Sequence, residues 1–241
     1  MTFTSFISNA VSSMLLLASA PFVMPAAGHS EIHDQTNRWE HSIEMFEASD
    51  RIHGPTVNAV LFTGASNIRL WKNIGQAFPH HKILNRGFGG AEMSDLAEFA
   101  GRIVIPCKPK IVIIYAGDND LADRKTPEKI LSDFNIFARE VHATLPCTLI
   151  GCIAVKPSPS RARLVPMVCK TDALLQACCR TSTNTIYIDD LTPMLNAKGE
   201  PRPELFGKDG LHLNDRGRKV WASLITPILD RYDPPASNLS L

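Results

Sequence analysis

Ile111-Val112-Ile113-Ile114-Tyr115 is the stretch on which the fold turns. Four β-branched residues in succession leave no polar position for a solvent-facing side, so the segment reads as a strand buried on both faces. Such strands belong to parallel sheets, where crossover helices cover both sides. Working outward, residues 57–62 and 82–84 upstream, and 148–155 and 185–188 downstream, read as companion strands. The segments between them carry helical signals. Residues 37–51 place Trp39, Ile43, Phe46 and, at the margin, Met45 on a buried side. Residues 67–77 and 94–105 come next, the second with Asp95 and Glu98 near its positive end. Thr126-Pro127 is a cap followed by a first-turn proline, opening a helix to about Thr144. Residues 164–180 and 217–230 complete the set.

Five strands alternating with helices predict a three-layer α/β/α domain, flavodoxin-like, with a five-stranded parallel sheet. Strands one and three should be neighbours where the winding reverses. In such sheets ligands bind in the crevice beyond the carboxyl ends of the strands at that point.

The composition suits a globular enzyme: of 241 residues, 44% are hydrophobic and 20% charged, with a formal net charge of +1. Basic residues are scattered, so no nucleic-acid footprint or electrostatic membrane anchor is expected. Residues 10–27 contain the apolar centre Met14-Leu15-Leu16-Leu17-Ala18, prolines at Pro21 and Pro25, and small residues suited to a peptidase. Residues 1–28 therefore read as a signal peptide without the usual basic start, and residues 29–241 as one catalytic domain. Export to a periplasm or the exterior is expected, with no stable membrane span after processing.

The six cysteines lack paired C-x-x-C spacing, so no zinc site is expected. Cys152 reads as a core residue. Cys107 and Cys147 precede neighbouring strands, and a disulfide between them is one reading in an oxidising compartment. His80 and His81 read as solvent-facing turn residues rather than a metal pair. Trp71 and Trp221 read as packing residues.

Chemistry-bearing residues fall just beyond separate strands. Ser66 follows the first, Gly90 the second and Asn119 the third, while Asp209-Gly210-Leu211-His212 follows the fifth. An aspartate three residues before a histidine can hold one imidazole nitrogen and leave the other to take a serine proton. The assignment is Ser66 as nucleophile, His212 as general base and then acid, and Asp209 as its orienting carboxylate. The Ser66 and Gly90 amides and the Asn119 side chain form the oxyanion hole. Glycine suits position 90 because the backbone must approach substrate closely. Asp120 is expected to fix its loop. Arg161, after strand four, is a candidate for binding an anionic substrate group, with a structural salt bridge as the alternative.

These blocks resemble the SGNH hydrolases, also called GDSL-type esterases or lipases. The G-D-S block appears as Gly64-Ala65-Ser66 and the glycine block as Asn85-Arg86-Gly87-Phe88-Gly89-Gly90. The G-x-N-D block is Gly117-Asp118-Asn119-Asp120, and the D-x-x-H block spans Asp209 to His212. The resemblance runs from Val57 to the last helix. It implies a flavodoxin-like fold, a Ser–His–Asp triad, no metal or other cofactor, and hydrolysis of small-molecule esters. Ala65 replaces the family's usual aspartate, which is not the triad acid, so tuning of the serine loop is expected. A serine esterase working through an acyl-enzyme is the leading expectation, on short-chain, lipid or carbohydrate O-acyl esters. No long apolar insertion that could form a lid is present, which favours small or soluble esters. A non-catalytic ligand-binding domain on the same scaffold is the alternative.

Overall fold

Five strands, β1 (Val60–Gly64), β2 (Ile83–Gly87), β3 (Ile111–Tyr115), β4 (Leu149–Ile153) and β5 (Thr185–Ile188), pair in parallel in the order β2-β1-β3-β4-β5. This computed structural model describes residues 30–235; the expected leader at residues 1–28 lies outside the described residues. Every residue of β1, β3 and β4 is buried, which is why their sequences do not alternate. The doubly covered α/β/α sheet is therefore the one expected, and its winding reverses between β1 and β3.

Helices α1 (Ser30–His53), α2 (Ser66–Arg69), α3 (Ile74–Ala77), α4 (Met93–Ile103), α5 (Asp118–Ala122), α6 (Pro127–Thr144), α7 (Val165–Thr181), α8 (Leu191–Met194) and α9 (Asp215–Tyr232) complete the described chain. Helices α4, α6 and α7 pack side by side on one face, with α1 alongside α4. On the other face Trp71 meets Trp221 of α9 at 6.2 Å between ring centroids, and Trp221 meets Tyr115 of β3 at 4.9 Å. Both tryptophans are buried packing residues, as their apolar neighbours predict.

Several boundaries differ from expectation for local reasons. Residues 67–77 form two short helices rather than one. The Asn85 amide donates to the carbonyls of Ile68 at 2.9 Å and Trp71 at 3.4 Å, so side-chain bonding replaces helix continuation there. The second strand runs on to Gly87, through residues that resemble a turn in sequence. The first strand begins only at Val60, because Asn58 sits at a left-handed φ of 58°. The helix expected to reach residue 105 ends at Ile103, and Ile105–Cys107 continues as a 3-10 turn containing Pro106. Thr126 caps α6 through Lys129 N–H at 3.2 Å, as expected.

Three side-chain expectations are overturned. Met45 is exposed. His81 is enclosed rather than solvent-facing: its side chain is 2% exposed, with Asp230 at 3.1 Å and Asp233 at 3.5 Å pinning the turn to the end of α9. Cys107 and Cys147 are free thiols, not a disulfide. Cys107 is buried beside the Arg86–Asp50 ion pair while Cys147 faces solvent.

Asp172 on α7 shows how burial sets ionisation in this sheet. Its Oδ1 accepts the Val155 N–H at 2.8 Å, its Oδ2 has no partner, and burial pushes the carboxyl up to about 8. An unfolded aspartate titrates near ~4, so between about pH 4 and the folded value only the folded chain keeps the proton. The stability from this site is complete below about pH 4 and is lost as pH rises through about 8. The isosteric Asp172→Asn should therefore shrink the fall in Tm between about pH 5 and about pH 9 by roughly 3 °C or more. Thermal melts at the two pH values check this; an unchanged fall would mean the carboxylate is ionised in the folded chain.

Candidate active site

Residue 64 must be glycine for the site to form. Its φ is 141°, and a Cβ there would lie 2.1 Å from the Tyr115 carbonyl oxygen. That close approach lets the Ala65 N–H donate to the same carbonyl at 3.0 Å, which turns the chain off β1 beside the end of β3. Ser66 then starts α2 at the crevice. Ala65, where the resembling family carries aspartate, is 1% exposed and caps α2 without a side-chain acceptor.

The D-x-x-H loop reaches the same place across the sheet edge. The Asp209 carboxylate accepts the backbone N–H of Leu211 at 2.9 Å and of His212 at 3.0 Å, and its Oδ2 lies 2.6 Å from His212 Nδ1. The His212 hydrogen bond, followed by those two backbone donors, holds the Asp209 carboxyl down to about 2. An ionised carboxylate only accepts, so His212 carries its proton on Nδ1. The other ring nitrogen, Nε2, faces Ser66 Oγ at 2.9 Å. Residues 146 positions apart in sequence thus form one continuous line of hydrogen bonds from carboxylate to hydroxyl.

Asn67 secures this meeting and carries no family signature that would have pointed to it. Its side chain is buried, and its Oδ1 accepts the Leu213 N–H at 2.9 Å, locking the histidine loop to α2. Asn214 fixes the next turn by accepting from Arg216 and Gly217 while donating to the carbonyls of Glu204 and Phe206.

Gly90 and Asn119 line the same shallow cleft as Ser66 and His212, together with Trp39, Ser42, Arg69, Gly89 and Leu211. Gly90 has φ 77°, and a Cβ there would lie 3.0 Å from the Trp39 ring. Among the described residues neither the Ser66 nor the Gly90 N–H donates to a backbone acceptor, which leaves both for a ligand. Asn119 Nδ2 donates to the Ala91 carbonyl at 3.0 Å, and its Oδ1 accepts from Arg161 Nη2 at 3.1 Å. Arginine only donates and a carbonyl only accepts, so the amide cannot be flipped and its second N–H stays free.

Arg161 is occupied by protein partners, which matches the structural salt bridge given as the alternative to substrate contact. Besides Asn119 it donates to the Asp118 carbonyl at 2.8 Å and pairs with the Asp118 carboxylate at 3.2 Å. Lys156, its side chain fully enclosed, holds the same carboxylate oxygen, also at 3.2 Å. Asp120 ties the loops together: both its oxygens accept the Met93 N–H, at 3.1 and 3.2 Å. Burial, against the pull of Lys125 and that N–H, raises its carboxyl to about 7. It fixes its loop, as expected. Among the described residues no group of three or more His, Cys, Asp and Glu could hold a metal ion.

Residues 54–220 match the GDSL-like Lipase/Acylhydrolase family, and the chain belongs to that family. It is an enzyme of the hydrolase class that acts on ester bonds. No curated protein shows significant sequence similarity to it. Solved structures with the same fold include a Streptococcus pneumonia protein provisionally described as a platelet activating factor, 16% identical, with a TM-score of 0.71 over 84% of this chain and 100% of that one. A GDSL-like lipase from Bacteroides thetaiotaomicron is 18% identical, with a TM-score of 0.68 over 78% of this chain and 97% of that one. An acetylxylan esterase from Geobacillus stearothermophilus, Axe2, solved as a catalytic mutant, is 12% identical, with a TM-score of 0.58 over 73% and 95%. At these identities the likeness is one of fold.

The contacts of Arg161 give a prediction that separates bracing from substrate binding. Arg161→Ala should lower kcat by roughly 10- to 100-fold, through a looser Asn119 amide, with KM for neutral esters moving less than about 3-fold. Arg161→Lys should recover part of the loss. Steady-state kinetics check this; a rise in KM confined to anionic esters would restore the substrate-binding role.

Proposed function

We propose that the chain is a serine esterase that cleaves carboxylic esters through a covalent acyl-enzyme on Ser66. The observation that carries this reading is the hydrogen-bonded line from Asp209 through His212 to the Ser66 hydroxyl. Attack by Ser66 Oγ on the ester carbonyl sends its proton to His212 Nε2, and Asp209 stabilises the resulting imidazolium. The carbonyl oxygen becomes an oxyanion, received by the Ser66 and Gly90 N–H groups and the free N–H of Asn119. Collapse of that intermediate expels the alcohol, which takes the proton from His212. Water, deprotonated by the same nitrogen, then attacks the acyl carbon and releases the acid.

Short acyl groups fit best. Among the described residues the cleft, about 470 Å³, offers only the Trp39 and Leu211 side chains as apolar wall, and Trp39 stands against the oxyanion glycine. No helix among the described residues is long and apolar enough to cross a membrane. With a leader at residues 1–28 the mature enzyme is an exported single-domain esterase acting outside the cytoplasm. Edman sequencing of the exported protein tests that last point: an N-terminus beyond residue 18 supports cleavage, and an intact Met1 contradicts it.

Chromogenic acetate and butyrate esters test the chemistry. The wild type should hydrolyse them, and Ser66→Ala or His212→Ala should lose about 10³-fold or more in kcat. Asn119→Ala should lose about 10²–10³-fold. Turnover unaffected by Ser66→Ala would remove that residue from the mechanism, and no turnover across a broad acyl panel would return the chain to the ligand-binding reading.

A further inference from the structure

Arg69 stands one turn after Ser66 on α2 and lines the same cleft as Ser66, Gly90, Asn119 and His212. Among the described residues it is the only permanently charged side chain in that lining. Other arginines near this end of the molecule are spoken for: Arg38 pairs with Asp95, Arg86 with Asp50, and Arg161 with Asp118. Among the described residues Arg69 has no such carboxylate partner.

Its position is built into the backbone. Gly89 does not have a positive φ, so any residue could adopt its conformation. Yet a Cβ at Gly89 would lie 2.6 Å from Arg69 Nε and 3.2 Å from its guanidinium carbon. The missing side chain is the space the guanidinium occupies, against the turn that leads into Gly90. The same cleft is lined by Trp39 and Ser42 of α1, a helix that precedes the family-matching segment beginning at residue 54. A substrate entering the cleft meets a fork of donors without a carboxylate partner among the described residues, and an indole, in the same lining.

We propose that Arg69 is a substrate-binding residue that selects esters carrying a carboxylate or phosphate close to the scissile bond. A guanidinium matches the two oxygens of either group bidentately, and a neutral ester leaves it solvated. The Ser66 hydroxyl does the chemistry in this scheme, so the inference rests on the serine esterase reading. The charge can sit on the alcohol or on the acyl part, and matched substrates separate the two.

The experiment compares kcat/KM within matched pairs. The pair 4-acetoxybenzoate and its methyl ester places the charge on the alcohol side; mono-4-nitrophenyl succinate and its methyl ester place it on the acyl side; 4-acetoxyphenyl phosphate and 4-acetoxyanisole test phosphate. The wild type should favour the charged member of at least one pair. In Arg69→Ala the charged-to-neutral ratio in that pair should fall roughly 10- to 100-fold, the range for losing a hydrogen-bonded charge partner. Arg69→Lys should fall less, and added salt should erode the wild-type ratio. Because a ratio is read, a general loss of activity in the variant does not imitate the result. Calorimetric titration of 4-acetoxybenzoate into Ser66→Ala, and into Ser66→Ala with Arg69→Ala, asks the same question without turnover. A Kd weakened about tenfold or more by loss of Arg69 supports the proposal. Charged-to-neutral ratios and affinities that do not depend on Arg69 in any pair overturn it. Hydrolysis surviving Ser66→Ala would instead overturn the nucleophile, whatever the ratios show.

Discussion

The hydrogen bond from the Ala65 N–H to the Tyr115 carbonyl is the contact on which the active centre depends. It joins the end of β1 to the end of β3, the neighbouring pair at which the winding of the sheet reverses. Only glycine at residue 64 allows the approach, since any Cβ would sit inside van der Waals contact of that carbonyl. Once the chain turns there, Ser66 faces the crevice, and the loops after β2, β3 and β5 have a common point to meet.

Buried polar side chains then hold those loops in place. Asn67 holds the histidine loop, Asp120 joins the Gly90 and Asn119 loops, and Arg161 with Lys156 grips Asp118. An ion cluster of this kind has a desolvation cost and contributes little net stability. Its value lies in position. An oxyanion donor that is already oriented when charge develops needs no reorganisation in the transition state.

The sheet was legible in the sequence because burial on both faces leaves an unbroken β-branched run, and Ile111–Tyr115 is one. The pairing of Asp209 with His212 was legible for a different reason: the two interact locally, so their spacing shows in sequence. Elements governed by remote partners were not. Residues 67–77 look like one helix until Asn85, from another strand, takes two of its carbonyls. Asn85 to Gly87 reads as a turn because its polar and glycine residues are chosen for those contacts rather than for strand propensity. His81 looks exposed until Asp230 and Asp233 arrive from the far end of the chain. Arg161 was legible only as a charge at the right edge of the sheet, and Asn67 had no assigned role, since an arginine or asparagine can meet many partners and only the folded loops select one.

In the proposed function Ser66, His212 and three donors from separate loops form one acyl-transfer site. A crystal structure of the enzyme treated with a serine-directed phosphonate tests it most directly. Phosphorus should be bonded to Ser66 Oγ, with the phosphoryl oxygen about 2.7–3.1 Å from the nitrogens of Ser66, Gly90 and the Asn119 amide. An adduct on another residue, or a phosphoryl oxygen turned away from all three donors, would contradict it.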